Sequence, residues 1–293
     1  MAQPIDKTKI EAALKGFTIP PRPDLLLALQ AELDTGEPNV KAISNLISKD
    51  IAISGFVLKV VNSPVYALTR QIDSVQQACM ILGAKRIVQL VRSILLRYNV
   101  GDNKPDPFIN AIWDTSTQLG EACMVICQHL RLDVGDEAYS IGMFNNAGMA
   151  LIYSMHKQYP SIIEEAYCTE NINIASAEEL RLGTSHELLS FMIAESWGLS
   201  HDVCNVLAYH HSCQAIFNTG TFYEKQLLSV LKLAEHILEI PSTLGQTHLD
   251  FEWKLYSEQI LDILELEVFH LIDIGEHLHQ CGIENQYHME RPN

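Results

Sequence analysis

Basic residues are scarce in this sequence. There are 20 Lys and Arg against 36 Asp and Glu, a formal net charge of −16 over 293 residues. No nucleic-acid partner is expected, nor a membrane one, because phosphate binding is driven by Lys and Arg displacing counterions. Glycine and proline number only 15 and 11, which excludes collagen-like and low-complexity chains. No segment approaches the ~20 uninterrupted apolar residues of a membrane span. The start MAQPIDKTKI has no basic stretch leading into an apolar core, so a cytoplasmic location is expected. Cysteines stand at 79, 123, 127, 168, 204, 213 and 281 with no CxxC pair, and they read as free thiols in the core. Gly-rich phosphate loops of the GxxxxGK(S/T) or GxGxxG type are missing. So is the G-x-S-x-G elbow of an α/β-hydrolase. Alternating runs closed by Asn-Gly or Asp-Gly turns are missing as well, which removes the usual hairpin signal.

What is present is apolar residue at helical spacing. Hydrophobic residues make up 47% of the chain and charged ones 19%, a composition that packs into a core, and at ~150 residues per domain the length suits one large domain or two small ones. Ile43, Leu46 and Ile47 recur at three and four residues, as do Cys79, Leu82, Ile87, Leu90, Val91, Ile94 and Leu95, so each set lines one helix face. Asn39, Ser74 and Asp106 with Pro107 read as helix starts, and Ser176 with Glu179 as a capping box. The fold class expected is all-α.

Breaks divide the chain. Ile19 to Pro23 is too rich in proline for helix and leads into a helix from Asp24 to about Asp34. Val100 to Pro107 is the strongest interruption, and a second falls at Pro241 to Gly245. The expected order is an N-terminal helix over 1–16, helical subdomains over 17–100 and 106–240, and a helical extension over 241–293 with a frayed tail. Ile81 to Arg86 could pass for a helix-turn-helix, but it reads better as a helix corner whose charges, Lys85, Arg86, Arg92 and Arg97, are solvated. Asn62, before Ser63 and Pro64, suits a left-handed helix end. Trp113 and Trp197 read as core, and Glu258, Asp262, Glu265 and Glu267 as a solvated face.

Histidines and carboxylates are the material from which chemistry could be built. His186 and the adjacent His210 and His211 stand out. Neighbouring helical residues point about 100° apart, so the pair could serve one ion together only if the helix ends there.

Several motifs in order resemble a known family. They are Leu46 to Ile53 continuing through Leu58 to Pro64, then Ile72 to Ala78 followed by Leu82 and Gly83, then His186, Trp197-Gly198-Leu199 and His210-His211. Together they resemble the HDOD domain, a relative of the HD and HD-GYP metal-dependent phosphohydrolases, over residues 17–240. The resemblance implies an N-terminal helical bundle packed on an HD-like bundle. HD enzymes hold metal through a His, a His-Asp doublet and a later Asp. The matching positions here carry Ser116, the doublet Asn145-Asn146 and Glu235.

Those departures carry a chemical consequence. Two-metal hydrolysis needs an anionic oxygen bridging the ions and neutral imidazoles completing their shells, so that a bound water loses its proton near neutral pH. Asn146 is neutral, Asn145 offers an amide in place of an imidazole, and Ser116 offers an uncharged hydroxyl. No catalytic residue and no cofactor is therefore expected. His186, His210 and His211, with Glu235, remain as residual metal or ligand contacts; the plainer reading has the histidines satisfying buried carbonyls beside neutral Asn145 and Asn146. The function expected is a non-catalytic bacterial signal-transduction or scaffold module acting on a signalling protein, with homo-oligomerisation left open. The alternative is an HD-type metal-dependent phosphohydrolase acting on a nucleotide or cyclic nucleotide, and a third reading makes the former metal cleft a nucleotide sensor.

Overall fold

The computed structural model describes residues 14, 16–66, 68–101, 106–170 and 172–289. The helix expected over 1–16 and the end of the expected frayed tail fall largely outside them. Among the described residues the regular elements are all helical. None is long and apolar enough to cross a membrane.

One compact unit comprises residues 21–99 with 280–282. It holds α1 (Asp24–Leu33), α2 (Val40–Ser48), α3 (Ile51–Val61), α4 (Val75–Leu82) and α5 (Ala84–Asn99). Side-chain oxygens supply the acceptors that the first turns lack: Asn39 accepts from the N–H groups of Lys41 and Ala42, Asp50 from Ala52 and Ile53, and Ser74 from Gln77. Leu26, Leu29, Ile43, Ile47, Val57, Ile87 and Leu96 are completely buried. Two expectations need correction. Asn62 is not left-handed, with φ −86°. It acts through its side chain, which donates to Leu58 O (2.8 Å) and Ile72 O (2.9 Å) and accepts from Ile72 N (2.7 Å), pinning the segment that follows α3. Arg92 is not solvated: it is 8% exposed, and its guanidinium donates to Gln30 Oε1.

The other unit comprises residues 1–20, 100–279 and 283–293. Its helices are α6 (Pro107–His129), α7 (Gly135–Phe144), α8 (Ala147–Met155), α9 (Tyr159–Cys168), α10 (Ile174–Leu182), α11 (His186–Ser196) and α12 (His201–Ala208). They continue as α13 (Cys213–Thr219), α14 (Phe222–Ile237), α15 (Ile240–Gly245), α16 (Phe251–Ile263), α17 (His270–Gln280) and α18 (Gln286–Met289). Asp106 caps α6, and Pro107 sits at its first position, where the missing N–H costs nothing. The cap of α10 is Asn173, not Ser176. Pro241 to Gly245 is a short helix rather than a break, flanked by Glu239 and Gln246 in left-handed conformations. The chain beyond Pro241 forms no unit of its own: α15 packs on α9, and α16 on α14. All seven cysteines are free, but Cys168 is exposed rather than core. Trp113 and Trp197 are buried, and Trp197 Nε1 donates to Pro20 O.

Helices α6 and α7 cross at Gly120 and Gly142. A Cβ on Gly142 would lie 2.5 Å from Gly120 N and 2.6 Å from Leu119 C, both backbone atoms that cannot step aside. Alanine ordinarily favours a helix over glycine by about 1 kcal/mol. Here the clash outweighs that gain, and Gly142→Ala is expected to destabilise by about 1–3 kcal/mol or more. Gly135→Ala, whose Cβ would meet Cys127 Cβ at an ordinary 3.5 Å, should be neutral or stabilising. Thermal unfolding of the two variants checks the contrast, and a stable Gly142→Ala protein would contradict the close crossing.

Candidate functional site

The α10 to α11 corner builds the first part of the site. Gly183, at φ 72°, ends α10 in the left-handed conformation that glycine adopts without strain, and Ser185 caps α11. The turn is so tight that Glu178, midway along α10, reaches the first residue of α11. Glu178 Oε2 accepts from His186 N at 2.9 Å, and its carboxylate lies 2.8 Å from His186 Nδ1. Tyr159 OH donates to the same carboxylate from α9. Glu178, Tyr159 and His186 are each 0% exposed. Helix α8 closes on this corner at Gly148, where a Cβ would lie 2.2 Å from His186 O.

The second part comes from the end of α12. That helix stops at Ala208, so the condition for His210 and His211 to work together is met. His210 Nδ1 donates to Leu207 O at 2.8 Å, and His211 Nδ1 lies 2.7 Å from Glu252 Oε1. Glu187, the second residue of α11, accepts from the backbone N–H groups of His211 and Ser212 and so holds the turn in place. His186 Nε2 and His210 Nε2 then face each other at 3.2 Å. One donor nitrogen from each of His186, His210 and His211 lies within 4.8 Å of the others.

The remaining positions have different fates. Ser116 gives its hydroxyl to Ile112 O of its own helix at 2.8 Å. Asn145 occupies the α7 to α8 junction, where its carbonyl accepts from Ser190 Oγ and its Nδ2 donates to Glu235 Oε1 at 3.4 Å. Asn146 N donates to Asn145 Oδ1, whereas Asn146 Nδ2 is buried without a hydrogen-bond partner. Glu235 does not face the histidines as a free carboxylate: Lys232 Nζ contacts Glu235 Oε2 and Glu252 Oε2, each at 2.7 Å.

Charge decides the protonation of this cluster. Burial pulls the His186 imidazole down, but the Glu178 carboxylate more than reverses it and the ring sits above the ordinary histidine range. Burial, with the neighbouring rings and Lys232, drives His210 and His211 well below that range. Burial lifts Glu187 to about 7. Lys232 opposes its own burial through Glu235 and Glu252 and stays charged.

Four members of the cluster escaped the sequence reading: Glu178, Glu187, Lys232 and Glu252. Lys232 and Glu235 at i, i+3 carry the one local signal that could have been read. The expected carbonyl partner exists for His210 alone, since His186 and His211 are held by carboxylates.

Comparison with known proteins bears on this arrangement. The family model of the HDOD domain matches residues 19–213. An uncharacterized protein of Treponema pallidum is 22% identical over 203 residues, covering 66% of this chain and 38% of its own length. The cyclic di-GMP phosphodiesterase CdgJ of Vibrio cholerae is 24% identical over 179 residues, covering 60% of this chain and 39% of its own length. The chain therefore spans less than two thirds of these curated relatives. An HDOD domain protein from Geobacter sulfurreducens superposes with a TM-score of 0.69 at 19% identity, covering 93% of this chain and 94% of its own. At that identity it establishes a shared fold.

Removing one partner of a buried ion pair leaves the other charge stranded in a medium that cannot solvate it. Glu178→Gln is expected to cost about 3–5 kcal/mol, and Tyr159→Phe, which removes one hydrogen bond to a charged group, about 1.5–3 kcal/mol. Urea denaturation midpoints check both. A Glu178→Gln protein as stable as its parent would contradict the pairing.

Proposed function

The chain belongs to the HDOD domain family, and from that premise we propose that it is a non-catalytic signalling module whose output is contact with a separate protein. The family relates it to signal-transduction and phosphohydrolase-like proteins. One observation carries the non-catalytic reading: where a hydrolase needs a bridging carboxylate, Asn146 presents a neutral amide whose Nδ2 is buried and unpartnered. A neutral amide carries no negative charge to share between two ions as a bridging carboxylate does. The other acid of the set, Glu235, is bound to the Lys232 ammonium. The residues present do not fit a two-metal centre, and no hydrolytic step is derived through one.

A single divalent cation is a separate matter, and the three histidines favour it. Leu207 O accepts only, so His210 Nδ1 carries the hydrogen and its Nε2 presents a lone pair. Glu178 and Glu252 fix His186 and His211 in the same sense. Each ring is thus oriented through its outer nitrogen by a hydrogen-bond acceptor, the arrangement that prepares imidazoles for a metal. We propose that His186, His210 and His211 hold one borderline first-row cation such as Zn2+, which would cross-link α11 to the end of α12. Its contribution is stability, without an activated water.

Two measurements check these readings. Protein prepared without chelator should give no turnover of cyclic di-GMP or of a simple phosphodiester in Mn2+, and EDTA-sensitive turnover restored by Mn2+ would overturn the non-catalytic reading. Elemental analysis after dialysis against Zn2+ should give one equivalent, with thermal stabilisation corresponding to about 2.7 kcal/mol at free metal a hundredfold above its dissociation constant. His210→Ala should abolish both effects. A metal-free protein that Zn2+ leaves unmoved would remove the cation reading and leave the first intact.

A further inference from the structure

Helices α9 and α10, joined by residues 169–173, border an open groove of about 360 Å3. Ala166 on α9 and Ala177 on α10 are among its lining residues, where a longer side chain would take up space. Ile162, Leu180 and Ile172 supply the larger apolar side chains of its lining. Leu180 is 86% exposed and Ile172 47%, so apolar surface faces water along a line rather than at one isolated point. Above the floor, Arg181 Nη2 contacts both carboxylate oxygens of Glu165 at 2.7 Å.

The chemistry of the groove selects among kinds of peptide. Among the described residues there is no strand whose edge could take up an extended chain. No aromatic side chain lines the groove, whereas grooves that read proline-rich segments are built from aromatics. What the groove presents is an apolar trough between two adjacent helices, the setting in which a third helix packs with its i, i+3, i+4 side chains in the gap. Charge sets the partner's sign. Glu164, Glu165, Glu170 and Glu179 are exposed on the two helices and their connection. Arg181 is matched by Glu165, and Lys254 by Glu170. The two charged lining residues, Glu165 and Arg181, cancel, while exposed Glu164 and Glu179 on the same helices leave the surrounding surface net acidic in a chain of net charge −16, which opposes a second copy and favours a basic occupant.

We propose that the α9/α10 groove is the docking site for a basic amphipathic helix of a partner protein. The inference rests on the reading of this chain as a contact-driven module and names the surface involved. The groove helix is also the one that fixes the histidine cluster: α10 carries Leu180 and Arg181 in the groove and Glu178 against His186.

The test uses the whole chain and a synthetic helical peptide of Leu, Ala and Lys, with leucines at i, i+3, i+4 and i+7, followed by fluorescence anisotropy. Saturable binding is expected. Leu180→Ser, at an exposed position that leaves the fold intact, should weaken it about tenfold, and Ala177→Phe, which fills the gap, should do the same. Leu255→Ser, at an apolar position 71% exposed outside the groove, should have no effect. A peptide with Glu in place of Lys should bind about tenfold more weakly in low salt. Absence of saturation, indifference to Leu180→Ser, or preference for the acidic peptide would overturn the proposal. So would self-association that Leu180→Ser abolishes, since the occupant would then be a second copy. Phosphodiester turnover by the same preparation would instead strike the module reading and leave the groove result standing.

Discussion

Two imidazole nitrogens 3.2 Å apart in a core that water does not reach set the terms for this molecule. His210 Nε2 presents a lone pair because its other nitrogen donates to Leu207 O. His186 Nε2 cannot present a second lone pair to it without repulsion, so a hydrogen or a cation has to lie between the two rings. An N–H on His186 Nε2 meets that need when no metal is bound. The fully buried Glu178 carboxylate holds the ring from the far side at Nδ1, and a divalent cation shared with His211 would take the place of that hydrogen in the metal-bound form.

The rest of the cluster follows from charge balance. Buried carboxylates are tolerated only when paired. Glu178 pairs with His186, and Lys232 lies between Glu235 and Glu252. In a two-metal hydrolase the ions themselves carry that positive charge. Here an ammonium group neutralises Glu235, and the amides of Asn145 and Asn146 add no charge of their own. Glu252 comes from beyond the residues that the family model covers, so the extension completes the electrostatics of a site that the domain begins. Stacking of Trp253 on His236, with centroids 4.1 Å apart, and the His236 contacts with Asp250 and Tyr287 fasten that extension down.

Much of this was legible in the sequence because its signals are local. Periodic apolar residues and the caps Asn39, Ser74 and Asp106 act within a turn or two, and they located helices. The motifs around Leu46 to Pro64 and His186 to His211 identified the family and the three histidines. Interactions across long sequence separations were not legible. Nothing within a few residues of Glu252 shows that it meets His211, and Glu187 looks like an ordinary acidic residue in a first helical turn until the 210–212 turn lands on it. Asn173 displaced Ser176 as a cap because both are sound capping residues and only the packing of α10 chooses between them. Arg92 read as solvated because its helix turns that face inward, a fact that charge and spacing cannot supply.

Anomalous diffraction from crystals grown with Zn2+ or Mn2+ would locate any ion that the histidines hold. At most one metal peak is expected in this cluster, within bonding distance of His186, His210 and His211, and none beside Asn145 and Asn146. Two peaks a few ångströms apart with an oxygen between them, one of them at Asn146, would show that the pocket assembles a dinuclear centre despite its missing acid.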